Sequence, residues 1–167
     1  LPLALRGNLE SMDINKKNEN GYDLTAVLFT PDKESPGTVE SLVDFSEKVD
    51  ATWQHSPDGK KHEVTLTNVP AGMEGERTLR LSVSSNKLGV EKADVVTVNI
   101  PDQNDFSVYD VVYVSEPECY VEVAFTKLLD SAQDMRGLAF IAGNTSETVN
   151  VDGNKLRLYP DADLREK

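Results

Sequence analysis

Apolar and polar residues alternate along most of this chain, which is the pattern of strands with one buried face. The pattern is clearest in TLRLSVS, where it places Leu79, Leu81 and Val83 on one face. Thr78, Arg80 and Ser82 are then expected on the other face. Comparable segments, bounded by turn residues, predict further strands at Tyr22–Thr30, Val95–Ile100, Phe106–Val114, Cys119–Thr126 and Thr148–Leu158.

One segment, SPGTVESLV at Ser35–Val43, departs from this period and predicts a short helix. Ser35 is a suitable N-cap, and Pro36 fits the first helical position because its missing N–H is not needed there. The apolar residues then follow at helical spacing, at Val39, Leu42 and Val43.

Short strands with regular turns indicate an all-β fold, an antiparallel sandwich of the immunoglobulin-like type with one short helix. The polar stretch Ile100–Asp105 is the best boundary, so residues 1–101 are predicted to form one sandwich. Residues 105–167 contain about five predicted strands, fewer than the roughly seven of a complete sandwich. We therefore expect a second, incomplete sandwich there.

The segment WQHSPDGKKHEVTL, Trp53–Leu66, holds the single tryptophan and both histidines of the chain. A two-residue turn at Asp58-Gly59 predicts a hairpin in which His55 faces His62, Trp53 faces Val64 and Ala51 faces Leu66. Two imidazoles fall short of the three or four ligands of a zinc site. No separate Ser, Cys and Asp constellation accompanies them, so we expect Trp53 to fill the core and the histidines to lie at its rim.

In the second predicted sandwich, a turn at Gly153-Asn154 pairs Val151 with Leu156 and Val149 with Leu158. The strand that begins at Cys119 is expected to point four residues inward, namely Cys119, Val121, Val123 and Phe125. Its outward residues are then Tyr120, Glu122, Ala124 and Thr126. Cys119 is interpreted as a small buried thiol, because a nucleophile would need an electropositive setting that Glu118 and Glu122 do not supply.

The composition of the chain argues against several classes of protein. The formal charge is -12 with a pI near 4.5, which argues against nucleic-acid binding because phosphates would be repelled. The lone cysteine excludes a disulfide framework within the chain. No apolar run approaches the roughly 20 residues of a membrane helix. Since the chain begins at Leu1 without a visible signal peptide, we expect a processed product or a fragment.

Two alternatives come from other classes of protein. Asp102, Asn104 and Asp105 between the two predicted sandwiches offer hard oxygen ligands for calcium, as in a cadherin-like adhesion module, with Asp161–Asp163 as a superficial second match. Tyr109 or Tyr113 would instead bind glycans if the chain were a carbohydrate-binding accessory domain. Asn144–Ser146 is a glycosylation sequon only in a secreted eukaryotic protein.

From Tyr22 onward the order of segments resembles the N-terminal part of the bacterial alpha-2-macroglobulin family. The resemblance is carried by YDLTAVLFTPD, SPGTVESLV, WQHSPDGKKHEVTL, LRLSVSSNKLGVEK, TVNIPDQNDFSVYDV, CYVEVAFTKLLDSAQDMRGLAFIAG and VDGNKLRLYPDADL. Each segment alone is weakly specific, because such domains are generic sandwiches. Their ordered series covers most of the chain.

The resemblance implies one macroglobulin-like sandwich at residues 1–101 and the start of another at 105–167. Family members are exported proteins of the cell envelope, often lipid-anchored and facing the periplasm, that trap proteases. Their partners are target proteases and the neighbouring domains of the same long chain. The thioester motif Cys-x-Glu-Gln has no match, since Cys119–Glu122 lacks its spacing and its glutamine. The chain is therefore expected to be a non-enzymatic scaffold, with no catalytic, cofactor-binding or metal-binding residue.

Overall fold

A computed structural model describes residues 6–83, 93–137, 139–143 and 147–160 of the chain. Within these ranges the protein is mostly antiparallel strand with one short helix, so the predicted all-β class is confirmed. The elements are β1 (Arg6–Asn15), β2 (Asn18–Phe29), α1 (Pro36–Leu42), β3 (Val43–Phe45), β4 (Asp50–His55), β5 (Lys61–Pro70), β6 (Arg77–Val83), β7 (Ala93–Ile100), β8 (Val108–Val114), β9 (Tyr120–Phe125), β10 (Glu147–Asp152) and β11 (Lys155–Pro160).

The chain divides into two compact units, Leu1–Gln103 and Asn104–Lys167, called unit 1 and unit 2 below. The division falls inside the stretch Ile100–Asp105, where a strand ends at a proline and polar residues follow. Each unit contains its own hydrogen-bonded sheets, so each is described separately.

Unit 1 is a sandwich of two sheets, one with the strand order β1-β2-β5-β4 and the other with the order β3-β6-β7. Alternate residues from both sheets meet in one buried core: Tyr22, Leu24, Ala26, Leu28, Val43, Val64, Leu66, Val69, Ala71, Leu79, Leu81, Val96, Val98 and Ile100. Each fully buried Leu, Val or Ile side chain contributes roughly 1.5–3 kcal/mol of transfer free energy. This shared core is what makes the two sheets one unit.

The helix α1 forms as the sequence predicts. Ser35 is its N-cap, with its side chain accepting a hydrogen bond from the backbone N–H of Thr38, and Pro36 occupies the first turn. Val39 and Leu42 are buried. Val43 is extended rather than helical and begins β3, so the helix is one residue shorter than its apolar pattern.

Strand β1 has no counterpart among the strands predicted from the sequence, because a β-bulge interrupts its alternation. Its pairing with β2 shifts between Leu9 and Ser11, which leaves Glu10 as the extra residue. The side chains that pack on the core are therefore Leu9, Met12 and Ile14, spaced by three and then by two residues. A prediction based on strict alternation of apolar and polar residues therefore misses this strand.

The predicted faces of β6 are wrong at one residue, Ser82. Leu79 and Leu81 are buried as expected, but Ser82 is also buried, with 4% of its surface exposed, although it was assigned to the outer face. The β6–β7 pairing shifts between Leu81 and Ser82, opposite the extra residue Val95 of β7. The extra residue lies on β7, so Ser82 is buried although it follows Leu81 directly along β6.

Unit 2 consists, in its described part, of one antiparallel sheet with the strand order β10-β11-β9-β8. The predicted hairpin register is confirmed, since Val151 pairs with Leu156 and Val149 with Leu158. Gly153 takes the positive φ of 62° that its turn requires. The described residues supply four strands, β8 to β11, where the sequence suggested about five.

The predicted faces of β9 are wrong in part. Ala124 and Thr126, assigned outward, are buried, whereas Val121, Val123 and Phe125 are only half-buried. Thr126 is enclosed because its hydroxyl donates to the backbone oxygen of Asp105 at 2.8 Å and accepts from the backbone N–H of Ser107 at 3.0 Å. The apolar face of β9 remains half-open because the described part of unit 2 has one sheet.

Three predictions fall outside the described residues. They are the sequon Asn144–Ser146, the acidic match Asp161–Asp163, and the end of the LRLSVSSNKLGVEK segment from residue 84 to residue 92. Among the described helices, none has the length and apolar character needed to cross a membrane.

Candidate functional site

The β4–β5 hairpin brings both histidines together. Its register is the predicted one, with Ala51 opposite Leu66, Trp53 opposite Val64 and His55 opposite His62. The turn is longer than the two residues expected, because the backbone N–H of Gly59 donates to the oxygen of Ser56 across Pro57 and Asp58. The predicted two-residue turn and the observed longer loop give the same strand pairing. The predicted register is therefore confirmed, and the predicted turn type is wrong.

Asp58 and Gly59 stabilise this turn in different ways. The Asp58 carboxylate accepts hydrogen bonds from the Ser56 hydroxyl and the Lys60 backbone N–H, and these bonds lower the pKa of Asp58. Gly59 has a φ of 68°, which a residue with a Cβ adopts only with strain. Asp58 is thus engaged in the loop, as the sequence predicts.

The predicted position of the histidines at the rim of the core is wrong for His62, which has 0% of its surface exposed. The reason is the strand order of the sheet. β5 lies between β2 and β4, so His62 is flanked by Leu28 on one side and by His55 on the other. β4 is an edge strand in the described sheet, and His55 is accordingly only half-buried.

Four side chains form a continuous hydrogen-bonded line through this region. Nδ1 of His55 lies 2.8 Å from Nδ1 of His62, and Nε2 of His55 lies 2.9 Å from Oε1 of Glu40. At the other end, Nε2 of His62 lies 3.3 Å from the hydroxyl of Thr30. The line therefore joins helix α1, strand β4, strand β5 and the end of β2.

The sequence alone does not indicate a role for Glu40 or Thr30. Glu40 occupies a polar helical position directly after the buried Val39, and such residues usually face solvent. Thr30 follows the last residue of β2, where its backbone N–H donates to the oxygen of Lys60 at 2.9 Å and extends the β2–β5 ladder. Only the pairing of β2 with β5 brings Thr30 to His62, and that pairing is not a local signal.

Electrostatics favour the neutral form of His62. Burial is the main cause that lowers the pKa of His62, and the neighbouring His55 lowers it further. The backbone of Gly59 and the carboxylates of Glu34 and Asp58 act in the opposite direction with smaller effect. His62 is thus held as a neutral imidazole that donates at one nitrogen and accepts at the other.

The line is not arranged as a metal centre. Among the described residues, no group of three or more His, Cys, Asp or Glu side chains could hold a metal ion. Glu40 binds the far nitrogen of His55 rather than converging with His62 on a shared point. The arrangement can instead relay and hold protons, because each of its nitrogens and oxygens contacts the next in the line.

Trp53 was predicted to fill the core. It is half-buried and packs against the buried cluster from the side. Its ring stacks on His55, with centroids 5.8 Å apart and an interplanar angle of 6°. The indole therefore supports His55 as well as the core.

The residues considered for calcium are engaged in local contacts. Asp102, in unit 1, accepts a hydrogen bond from the backbone N–H of Gly75. In unit 2, the Asp105 carboxylate accepts from the Ser107 hydroxyl at 2.7 Å, and the Asp105 backbone oxygen accepts from Thr126.

Cys119 was predicted to be buried, but it is partly exposed. It lies just before β9, where its Sγ is 3.2 Å from the hydroxyl of Tyr113. The hydroxyl of Tyr109 accepts a hydrogen bond from the side chain of Asn154 at 3.2 Å. Both tyrosines considered for glycan binding thus have polar contacts inside unit 2.

One face of the unit 2 sheet is polar and organised around Glu122. Its carboxylate lies 2.9 Å from Nε of Arg157 and 3.2 Å from Nζ of Lys155. Burial opposes ionisation of Glu122, but the hydrogen bonds from Arg157 and Lys155 outweigh it and lower the pKa of the carboxyl group. Arg157 also lies over the ring of Tyr120, 5.6 Å from its centroid.

Unit 2 also exposes large apolar side chains, called the exposed apolar set below: Phe106, Val108, Val111, Val112, Tyr113, Leu128 and Phe140. Val111 is 60% exposed, Phe106 61% and Phe140 74%. Phe106 stacks on Phe125, and both line a cavity of about 500 Å³ together with Leu128 and Leu129. Exposed apolar surface of this kind marks interaction sites.

No protein-family model, curated protein or solved structure matches this chain.

Proposed function

We propose that the chain belongs to a bacterial protein of the alpha-2-macroglobulin type and acts there as a non-catalytic scaffold. In this proposal units 1 and 2 are macroglobulin-like modules of a cell-envelope protease trap, an endopeptidase inhibitor exported to the periplasm. Their partners are the neighbouring domains of the same long protein. Target proteases are captured by the protein as a whole.

The observation that carries this proposal is the exposed apolar set of unit 2. Val111 projects from the same face of the sheet as Val123, with which it pairs, and Val123 pairs in turn with Leu156 of β11. Leu156 is buried, whereas Val111 is 60% exposed, so an apolar row runs from covered to open surface. A neighbouring domain that covers the open end would bury this surface and gain hydrophobic free energy.

The immunoglobulin-like sandwich of unit 1 supports the same conclusion in a different way. Apolar side chains from both sheets are directed into one core, which gives a rigid body. A module of this kind can hold other parts in position without itself changing shape. Unit 1 supplies rigidity in this proposal, and unit 2 supplies an adhesive surface.

The test uses the complete gene product, incubated with an endopeptidase. A trap blocks cleavage of a large protein substrate but leaves the captured protease active on a small peptide. We expect this pattern for the natural sequence and a loss of it for Val111→Glu, which places a charge on the apolar row. Asn150→Glu is the matched control, because Asn150 is an exposed position on β10 of the same sheet.

Inhibition of small-peptide cleavage to the same extent, or no inhibition at all by the natural sequence, would overturn the trap. A Val111→Glu protein that traps as well as the Asn150→Glu control would overturn the role of the apolar row. Reading the gene gives an independent check. A Cys-x-Glu-Gln motif far downstream supports the family, and a stop codon directly after Lys167 argues against it.

A further inference from the structure

When both imidazoles are neutral, the hydrogen bonds along the line Glu40–His55–His62–Thr30 determine which nitrogen carries each proton. The Glu40 carboxylate can only accept, so Nε2 of His55 carries the donated proton. Nδ1 of a neutral His55 is then an acceptor, and Nδ1 of His62 must donate to it across 2.8 Å. Nε2 of His62 is left as the acceptor of a hydrogen bond from the Thr30 hydroxyl, which in this state does not donate to the Asp32 backbone oxygen.

The line can take up one further proton without losing a hydrogen bond. The entering proton binds Nε2 of His62 while the proton on Nδ1 of His62 moves to Nδ1 of His55. His55 is then an imidazolium beside the Glu40 carboxylate, and His62 stays neutral in its other tautomer. The Thr30 hydroxyl accepts from His62 and turns its own proton to the backbone oxygen of Asp32, 2.7 Å away.

A second proton cannot be accommodated in this geometry. Both Nδ1 atoms would then carry a proton, and two N–H groups would face each other across 2.8 Å without a lone pair between them. Two like charges in contact would add electrostatic repulsion. Since His62 is fully enclosed between β2 and β4, the contact can be relieved only by moving His55, and Glu40 with it.

We propose that the His55–His62 pair is a one-proton switch that controls the attachment of helix α1 to the β4–β5 hairpin. The first proton converts the Glu40–His55 hydrogen bond into an ion pair and holds α1 in place. The second proton separates the imidazoles and releases the helix from the hairpin. The switch acts within unit 1 and does not depend on the function proposed above.

The charged groups around the pair set the direction of its response. Glu40 on α1 faces His55, while Glu34 in the loop before α1 and Asp58 in the hairpin loop act on His62. All three carboxylates favour uptake of the first proton. Lys33 lies beside Gly59 and Lys60 follows the hairpin-loop residues Asp58 and Gly59, and the enclosure of His62 opposes the uptake.

Nitrogen-15 NMR of the imidazoles in the full chain tests the switch, because long-range correlations distinguish the two neutral tautomers from the imidazolium. From pH 8 downward we expect His62 to begin as the Nδ1–H tautomer. It should change to the Nε2–H tautomer over the same pH range in which His55 becomes an imidazolium. A His62 ring that keeps one tautomer while His55 titrates, or two independent single-site curves, would overturn the proposal.

Glu40→Gln provides the second measurement, since it removes the negative charge that stabilises the first proton and retains a side chain of the same shape. We expect the midpoint of the shared step to move to lower pH. Glu19→Gln is the control, because Glu19 is an exposed carboxylate at the far end of β2 and the change of net charge is identical. Equal pH midpoints of the shared step in the two variants would show that Glu40 does not stabilise the first proton, and would overturn the proposal.

Discussion

Units 1 and 2 use the same alternation of apolar and polar residues, yet they bury their apolar residues to very different degrees. In unit 1 two sheets face each other, and alternate residues of β2, β5, β6 and β7 are buried in one core. In unit 2 the described strands form one sheet, so Val121 and Val123 stay half-buried and Val111 is mostly exposed. Alternation therefore specifies which face is apolar, but the burial of that face depends on what lies opposite.

Truncation of an apolar side chain should show the largest difference between the units. Leu79→Ala opens a cavity in the closed core of unit 1 and should lower its unfolding free energy by about 2–5 kcal/mol. Val111→Ala removes an exposed side chain of unit 2 and should change its stability by about 0.5 kcal/mol or less. Urea titration followed by Trp53 fluorescence measures unit 1, and amide NMR signals measure unit 2. Equal losses would contradict the comparison.

A single added methyl group should reveal how closely the backbone is packed in unit 1. A Cβ on Gly72 would collide with the carbonyl oxygen of Gly75, and the Gly72 backbone is already bonded to Pro101 and Gln103. We expect Gly72→Ala to cost about 1–3 kcal/mol, measured by the same Trp53 fluorescence. Gly37→Ala is the control, since nothing lies near that position in α1, and it should stabilise unit 1 by about 0.4–1 kcal/mol. A neutral Gly72→Ala would show that the loop adapts freely.

The two units should also respond to acid over different pH ranges. His62 belongs to unit 1, and its folded pKa lies below the unfolded value of 6.5, so the unfolded chain binds the proton first as the pH falls. The stability that His62 contributes to unit 1 is therefore full above that value, and this contribution decreases below it, by up to about 1.4 kcal/mol per pH unit. The decrease ends once the pH passes the folded pKa of His62.

Unit 2 contains no histidine, and its partly buried acidic group Glu122 has a folded pKa below its ordinary value of 4.5. The stability supplied by Glu122 is thus present above that value and is lost only as the pH falls further, through the folded pKa. Urea midpoints of the two units at a series of pH values between 8 and 3 check the order. Loss of unit 2 before unit 1 would reverse the expectation.

The smallest expected effect concerns the polar face of unit 2. Glu122→Gln removes the charge that pairs with Arg157 and Lys155, and all three side chains retain some access to water. Water screens such pairs, so we expect a loss of about 0.5–1 kcal/mol, measured by the amide NMR signals of β9 and β11. Asp152→Asn is a matched control with a more exposed partner of Arg157, and it should have less effect. The reverse order would assign the stabilising contact to Asp152.

Local signals predicted local structure well. The cap and proline of α1 and the registers of the β4–β5 and β10–β11 hairpins follow from residues close together in the sequence, and all three are confirmed. The failures are non-local. The burial of His62 depends on β2, which is distant in sequence. Val121 and Val123 are only half-buried because the described part of unit 2 has one sheet and places no second sheet over their face.

The candidate site shows the same limit. The sequence places His55 opposite His62, because the turn between them fixes that pair. It does not place Glu40 or Thr30 beside them, since those contacts require α1 and β2 to pack against the hairpin. The sequence of a short helix does not show whether a polar side chain on it contacts a histidine or faces solvent.

The ladder between β2 and β5 has a kinetic consequence. Phe29 pairs with Lys61, so α1, β3 and β4 all belong to the loop that this ladder closes. Closing a long loop costs chain entropy before its contacts repay it, which slows folding. The β10–β11 hairpin closes over a two-residue turn and should form within roughly 1–10 μs. Unit 1 should therefore reach its native state much later than the β10–β11 hairpin of unit 2 forms.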